Sequence, residues 1–434
     1  MVGLFIVFNK RPDDKQLANY KHPFIQRPYG SDLPKEPAAL PNEWMGYQRT
    51  FPYGKIKQDN YLIAIRNAQE LHSSYGERDL EWISLGPENI GGRITDLACN
   101  PQEPATVYIA AASGGIYKTT DTGLTWQQIF TDAPVISIGD ISLDPNNSMV
   151  IYAGTGEANA SSYSFLGDGL WKSTDGGESW THSGLESSAY IARIIVDYNN
   201  SDRVFTAACG TLFSSSSERG VYRSADGGES WERMLFLTDS TAAIDLVQHP
   251  TNPDILYTAM WERIRGLNYR KSGGETSGIW KTVDGGDNWV ELINGLPSGD
   301  NIGRIGLDIS ISNPDILYAF YDQHINEDED YSFRGIFKTT DSGESWVQTN
   351  DNSIMDMCSR FGWYFGQIRI DPGNPDRVYA LGVDLVRTEN GGSSWEAIAG
   401  YWNSDDIHVD HHAMIIDPNT GRVLEGNDGG LYIS

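Results

Sequence analysis

The chain has 434 residues, 39% of them hydrophobic, with 32 basic against 59 acidic side chains and a formal net charge of -27. A polyanion of this size without a local basic patch repels phosphate backbones, which excludes nucleic acid as a partner. No apolar run approaches the roughly 18 residues of a spanning helix. Three scattered cysteines, Cys99, Cys209 and Cys358, support neither a disulfide scaffold nor a thiolate zinc site.

In chain order, Val2 to Phe8 is an apolar run followed by Asn9-Lys-Arg11. It is too short for a complete secretory signal, though it could be the stump of one. Pro23, Pro28, Pro34, Pro37 and Pro41 break the next stretch into an extended arm. Gln58 to Ser73 carries Tyr61, Leu62, Ile65, Ala68 and Leu71 at helical spacing and reads as one amphipathic helix. Residues 1–80 therefore form an N-terminal arm ahead of a repeat domain over 81–434.

The repeat is an octet found six times, Ser173-Thr-Asp-Gly-Gly-Glu-Ser-Trp180 being typical. Its fixed acid or amide falls at Asp121, Asp175, Asp226, Asp284, Asp341 and Asn390, with successive spacings of 54, 51, 58, 57 and 49 residues. The side chain can accept backbone N–H bonds, glycine supplies a positive φ, and tryptophan can bury its ring, so these six residues read as hairpin staples rather than catalysts. Around the first octet, Ile94–Cys99, Thr106–Ala111, Gly115–Thr119 and Trp126–Phe130 alternate as four strands. Aligning the Asn-Pro or related turns places Leu97, Ile141, Ile194, Leu246, Ile368 and Met414 at one inward position.

His411–Ile416, Val423–Gly426 and Gly430–Ser434 supply three strands of a seventh unit, and residues 82–86 resemble a fourth strand lacking its first three. The expected fold is all-β: a β-propeller of four-stranded blades, seven in number and closed by that N-terminal strand. The rival is a longer protein with further blades.

Propeller topology puts the octets and Asn-Pro turns on one face and the strand 2–3 loops and blade linkers on the other. Long excursions at 154–169, 210–220, 261–278 and 322–335, with the linker 350–364, predict a walled cleft over the central channel. Trp261, Arg263, Arg265, Tyr269, Arg304, Trp363 and Tyr364 would line it, suiting sugar rings or extended peptides. Glu157 with Asp168, and Asp322 with His324, are candidate acid–base or nucleophile pairs, and Asp410 is a further candidate carboxylate. Glu327-Asp-Glu-Asp330 could bind calcium, although a solvated acidic loop is the plainer reading. His408, Asp410 and His412 alternate onto one side of an extended segment, a ligand set for zinc, although His–Asp pairs also simply satisfy each other. No motif for another cofactor is present.

With the octets and the run Trp82 to Asp96 in view, the chain resembles bacterial Asp-box (BNR-repeat) propellers of the sortilin type and the glycosyl-hydrolase BNR-repeat proteins. More distantly it resembles the family 74 xyloglucanases, over about residues 82–434. The resemblance implies a secreted or cell-surface protein, but not one activity, because Asp-boxes occur on propellers of many functions. Family 74 enzymes place a nucleophile-side Asp just before the Gly-Gly that opens the third strand of the first blade, where this chain has Ala112, and take their second carboxylate from a second propeller. An arginine triad of the sialidase kind from Arg93, Arg193 and Arg304 falls at unequal strand offsets. The chain therefore reads as a monomeric extracytoplasmic propeller binding a polysaccharide or protein on the face opposite the Asp-boxes. A glycoside hydrolase of unassigned specificity and a metal-dependent hydrolase are the alternatives.

Overall fold

Every octet closes a hairpin with the same hydrogen bonds. In the second, the Ser179 amide donates to Asp175 Oδ1 at 2.9 Å, the Ser173 hydroxyl donates to the same oxygen at 2.8 Å, and the Gly177 amide donates to Ser173 Oγ at 2.8 Å. The others repeat this at Asp121, Asp226, Asp284, Asp341 and Asn390. The geometry requires the left-handed region: the glycine after the midpoint has φ between +91° and +99° in all six. Each turn also bonds to the strand 1–2 turn of its own blade, as in Gly176 N to Met149 O at 2.9 Å and Gly227 N to Asp202 O at 2.8 Å, so the two sets of turns share one face.

The computed structural model describes residues 47–48, 51–52, 57–74 and 91–434, apart from 132, 160, 162–163, 266–269, 326–330, 351, 401–406 and 419. Seven antiparallel sheets surround a channel, with inner strands Ile94–Cys99, Ile138–Asp144, Ile191–Val196, Thr241–Gln248, Ile302–Ile309, Gln367–Asp371 and His411–Ile416. Six sheets have four strands in chain order; the seventh has three among the described residues, and the predicted closing strand at 82–86 lies outside them. The inner strand of blade 7 packs against that of blade 1, so the ring is closed. Gly91 runs so close to the Gly429 carbonyl that a Cβ there would collide with it.

The predicted inward apolar row is present. Leu97, Ile141, Ile194, Leu246, Ile368 and Met414 are at most 4% exposed, and Leu307 fills the blade 5 position. Burying each such side chain contributes about 1.5–3 kcal/mol. Beside this row lies a second, polar one. Asp96 accepts the Ile141 amide at 3.0 Å, Asp140 the Ile194 amide at 2.8 Å, Asp245 the Leu307 amide at 2.9 Å and Asp308 the Ile370 amide at 2.7 Å. Each carboxylate thus ties one inner strand to the next. In blade 3 Arg193 takes that place and reaches Asp140 at 2.9 Å, Asp245 at 3.1 Å and Asp96 at 3.7 Å. Burial and the Asp96 charge raise Asp140 well above the usual carboxylate range against the pull of Arg193.

The helix spans Gln58–Ser74, with Leu62 buried, and meets the blade 2 loop where Arg66 reaches Asp168 at 3.3 Å.

Candidate functional site

On the face opposite the Asp-boxes, the described parts of the long loops pack across the channel instead of walling an open cleft. The blade 2 loop carries Asn159 across to blade 5, where Arg304 donates to its Oδ1 at 2.6 Å and to the Tyr364 carbonyl at 3.1 Å. Trp261 and Trp363 are 0% and 7% exposed, and Arg263, Arg265 and Arg304 are buried with them. Arg263 stacks on Trp261 at 4.4 Å and Arg270 on Trp363 at 4.2 Å. Burial, and after it the Arg265 charge, hold Arg263 well below its ordinary pKa. The described members of the expected aromatic–guanidinium wall are therefore internal packing, and among them only Tyr364 remains partly accessible. Tyr269 and the acidic run Glu327–Asp330 lie outside the described residues.

The predicted carboxylate pairs are not brought together. Glu157 turns to Arg93, whereas Asp168 lies under Arg66 and within 3.9 Å of His182. Asp322 is fully buried with neither oxygen in a well-formed hydrogen bond, and burial pushes it up to about 8. His324 bonds to Ser272 at 3.0 Å rather than to Asp322. The His408–Asp410–His412 ligand set is dispersed as well. Asp410 has φ +70°, which breaks the extended alternation; His408 Nδ1 sits 2.6 Å from the Val409 carbonyl and His412 Nε2 2.9 Å from Asp428. Among the described residues no three His, Cys, Asp or Glu side chains are grouped to hold a metal ion.

A different polar constellation occupies the mouth, drawn from blades 1, 2 and 7 and the blade 5–6 linker. Arg93, just before the first inner strand, makes a two-pronged bond to Glu157, Nε to Oε1 at 2.8 Å and Nη2 to Oε2 at 3.0 Å. The Tyr364 hydroxyl donates to Glu157 Oε1 at 3.2 Å, and the Arg93 guanidinium lies 5.4 Å from the Tyr364 ring centre. The third Arg93 nitrogen is 3.6 Å from Asp428 Oδ1, the atom that His412 also meets. Burial opposes the Arg93 charge, but Glu157 outweighs it and holds the guanidinium above its ordinary pKa. Burial and then the Glu157 charge push the Tyr364 phenol up. Asp428 is lowered: burial works against its charge, and the His412 hydrogen bond and the Arg93 charge overcome it.

Asp428 went unrecognised in the sequence. It directly precedes Gly429-Gly430 at the strand 2–3 turn of blade 7, where blade 1 has Ser113 before Gly114-Gly115. Ala112, 4% exposed, brings no carboxylate to the blade 1 turn.

The family model for sortilin (neurotensin receptor 3) matches residues 168–301. The xyloglucanase Xgh74A of Acetivibrio thermocellus is 24% identical over 364 residues, covering 68% of this chain. A xyloglucanase of Paenibacillus sp is 23% identical over 430 residues, covering 83% of it. The chain spans 40% of the length of each of these curated relatives. The crystal structure of an ancestral GH74 enzyme superposes with a TM-score of 0.63 at 21% identity, over 82% of this chain and 46% of that one. A structure of YCF48 bound to D1 peptide gives 0.51 at 13% identity, over 82% and 97%. These structural likenesses speak to fold, and with the six octets and seven sheets they make the chain an Asp-box β-propeller similar to sortilin-type and xyloglucanase propellers.

Proposed function

We propose that this propeller acts in a glycoside hydrolase on a β-glucan of the xyloglucan class, binding the chain at the mouth formed by Arg93, Glu157, Tyr364 and Asp428. The observation that carries the reading is the partly exposed Asp428 beside Arg93, which Glu157 holds by a two-pronged bond, in a chain similar to xyloglucanases. Glu157 is 1% exposed and accepts from Arg93, Tyr364 and Ser164, so it positions the guanidinium and the phenol. The partly exposed Asp428 and Tyr364 face the ligand. An extracytoplasmic location follows from a polysaccharide substrate, and no described helix is long and apolar enough to cross a membrane.

The test is release of reducing ends from xyloglucan and other β-glucans by the full chain. Turnover that falls at least tenfold in Glu157→Gln is expected. Binding without release supports the second reading, a glycan- or protein-binding propeller, which Ala112 favours because an alkyl group exchanges no proton. Neither binding nor release would remove the glycan reading altogether.

A further inference from the structure

The seventh blade brings a second acidic residue against Asp428. The Asp428 amide donates to the Asp410 carbonyl at 3.2 Å, so the strand 2–3 turn lies against the residue that leads into the inner strand. Asp410 is held there in the left-handed region, φ +70°, a conformation costing an L-residue on the order of 1–2 kcal/mol. The neighbouring blade imposes it, because the Asp410 and His411 amides donate to the Val383 and Gly382 carbonyls at 3.1 and 2.9 Å. Such conformations cluster where a site dictates side-chain direction. On the other side, Asp428 Oδ1 receives His412 and lies near Arg93, while His412 itself is 1% exposed and packed on Tyr364 and Phe365.

We propose that Asp410 and Asp428 form the general-acid and general-base pair for glycosidic cleavage, so that one propeller supplies both carboxyls; this rests on the glycan reading above. The charged and titratable groups around Asp410 are Asp428, His412, His408 and His411; those around Asp428 are His412, Arg93 and His408. Burial and the Asp428 charge raise Asp410, whereas Asp428 is lowered. Neighbouring carboxyls displaced in opposite directions take opposite roles. Asp428 removes a proton from a water as its oxygen bonds to the anomeric carbon. The glycosidic C–O bond breaks with its electron pair on the leaving oxygen, and Asp410 protonates that oxygen. Asp410 ends as the carboxylate and Asp428 as the acid; exchange with solvent restores both, one water being consumed.

The experiment compares a β-glucan oligosaccharide, whose leaving group is a sugar, with the matching 2,4-dinitrophenyl glycoside, whose leaving group needs no proton. Asp428→Asn is expected to lose roughly 100-fold or more on both, the size of a general-base contribution. Asp410→Asn is expected to lose as much on the oligosaccharide and less than about tenfold on the aryl glycoside. Asp410→Gly, whose backbone suits φ +70°, serves as the variant that keeps the fold, and is expected to show the same split. Wild-type cleavage with no such split, or with activity retained in Asp428→Asn, overturns the pair and leaves the glycosidase reading standing. No wild-type cleavage of either substrate overturns both.

Discussion

Asp322 shows how a side chain can sit on the functional face without serving it. The Gly303 and Gly362 backbones lie close against its carboxyl, and burial pushes its pKa up to about 8 from 3.8. Below pH 4 both folded and unfolded chains are protonated there. Between about 4 and 8 the unfolded chain loses a proton that the folded one keeps, so stability falls as pH rises through that window. Asp322→Asn removes the effect. Urea unfolding at pH 8.5 should show the variant more stable than wild type, at about 1.4 kcal/mol per unit of pKa displacement as an upper bound, with the advantage shrinking at pH 4. Asp308, raised by burial to about 6 and tied to the Ile370 amide, adds a slope of the same sign over a narrower range.

At the scale of the elements, the hairpin staples and the inner-strand ring carry different loads. The five box aspartates are lowered to about 2 by hydrogen bonds from the Ser, Thr or Asn four residues on, so their contribution is present above the unfolded pKa of 3.8 and is lost as pH falls through about 2. Asn390 makes the same backbone bond without a charge. Asp226→Asn should therefore melt within a degree or two of wild type at pH 7, whereas Asp226→Ala, which leaves the Ser230 amide and Ser224 hydroxyl unbonded, should melt several degrees lower. Arg193 is a heavier post. Removing it leaves Asp140 and Asp245 buried without their counter-charge, and Arg193→Met should cost about 3–5 kcal/mol in urea unfolding.

Those elements also show what the sequence could convey. The octets and the alternating strands were legible because short-range chemistry dictates them: glycine for positive φ, an acid for the turn amides, apolar residues at period two. The cation just before each octet was equally visible and unread. Lys118, Lys172, Arg223 and Lys281 donate to an octet carbonyl of the following blade, at 3.0, 2.8, 2.8 and 2.8 Å, fastening blade to blade. The mouth was legible only in part. Glu157, Tyr364 and Asp410 stood out as candidates, and Arg93 and His412 under other readings, but Asp428 did not, and the contacts that join them run between segments far apart in the chain. The zinc set failed because strand alternation was assumed through Asp410, where the backbone turns left-handed. The aromatic cleft failed because a tryptophan in a long loop gives no sign of whether the loop folds over its own rings.

For the molecule as a whole, seven blades closed edge to edge leave two faces of unlike construction: one of tight stapled turns, the other of long loops around a polar mouth. The whole account requires that a glycan meet the second face. Hydrogen–deuterium exchange of the full chain, with and without a xyloglucan oligosaccharide, tests this most directly. The account predicts slowed exchange in 154–169, 352–366, 407–412 and 427–430, with the octet turns unchanged; protection centred on the octet turns would contradict it.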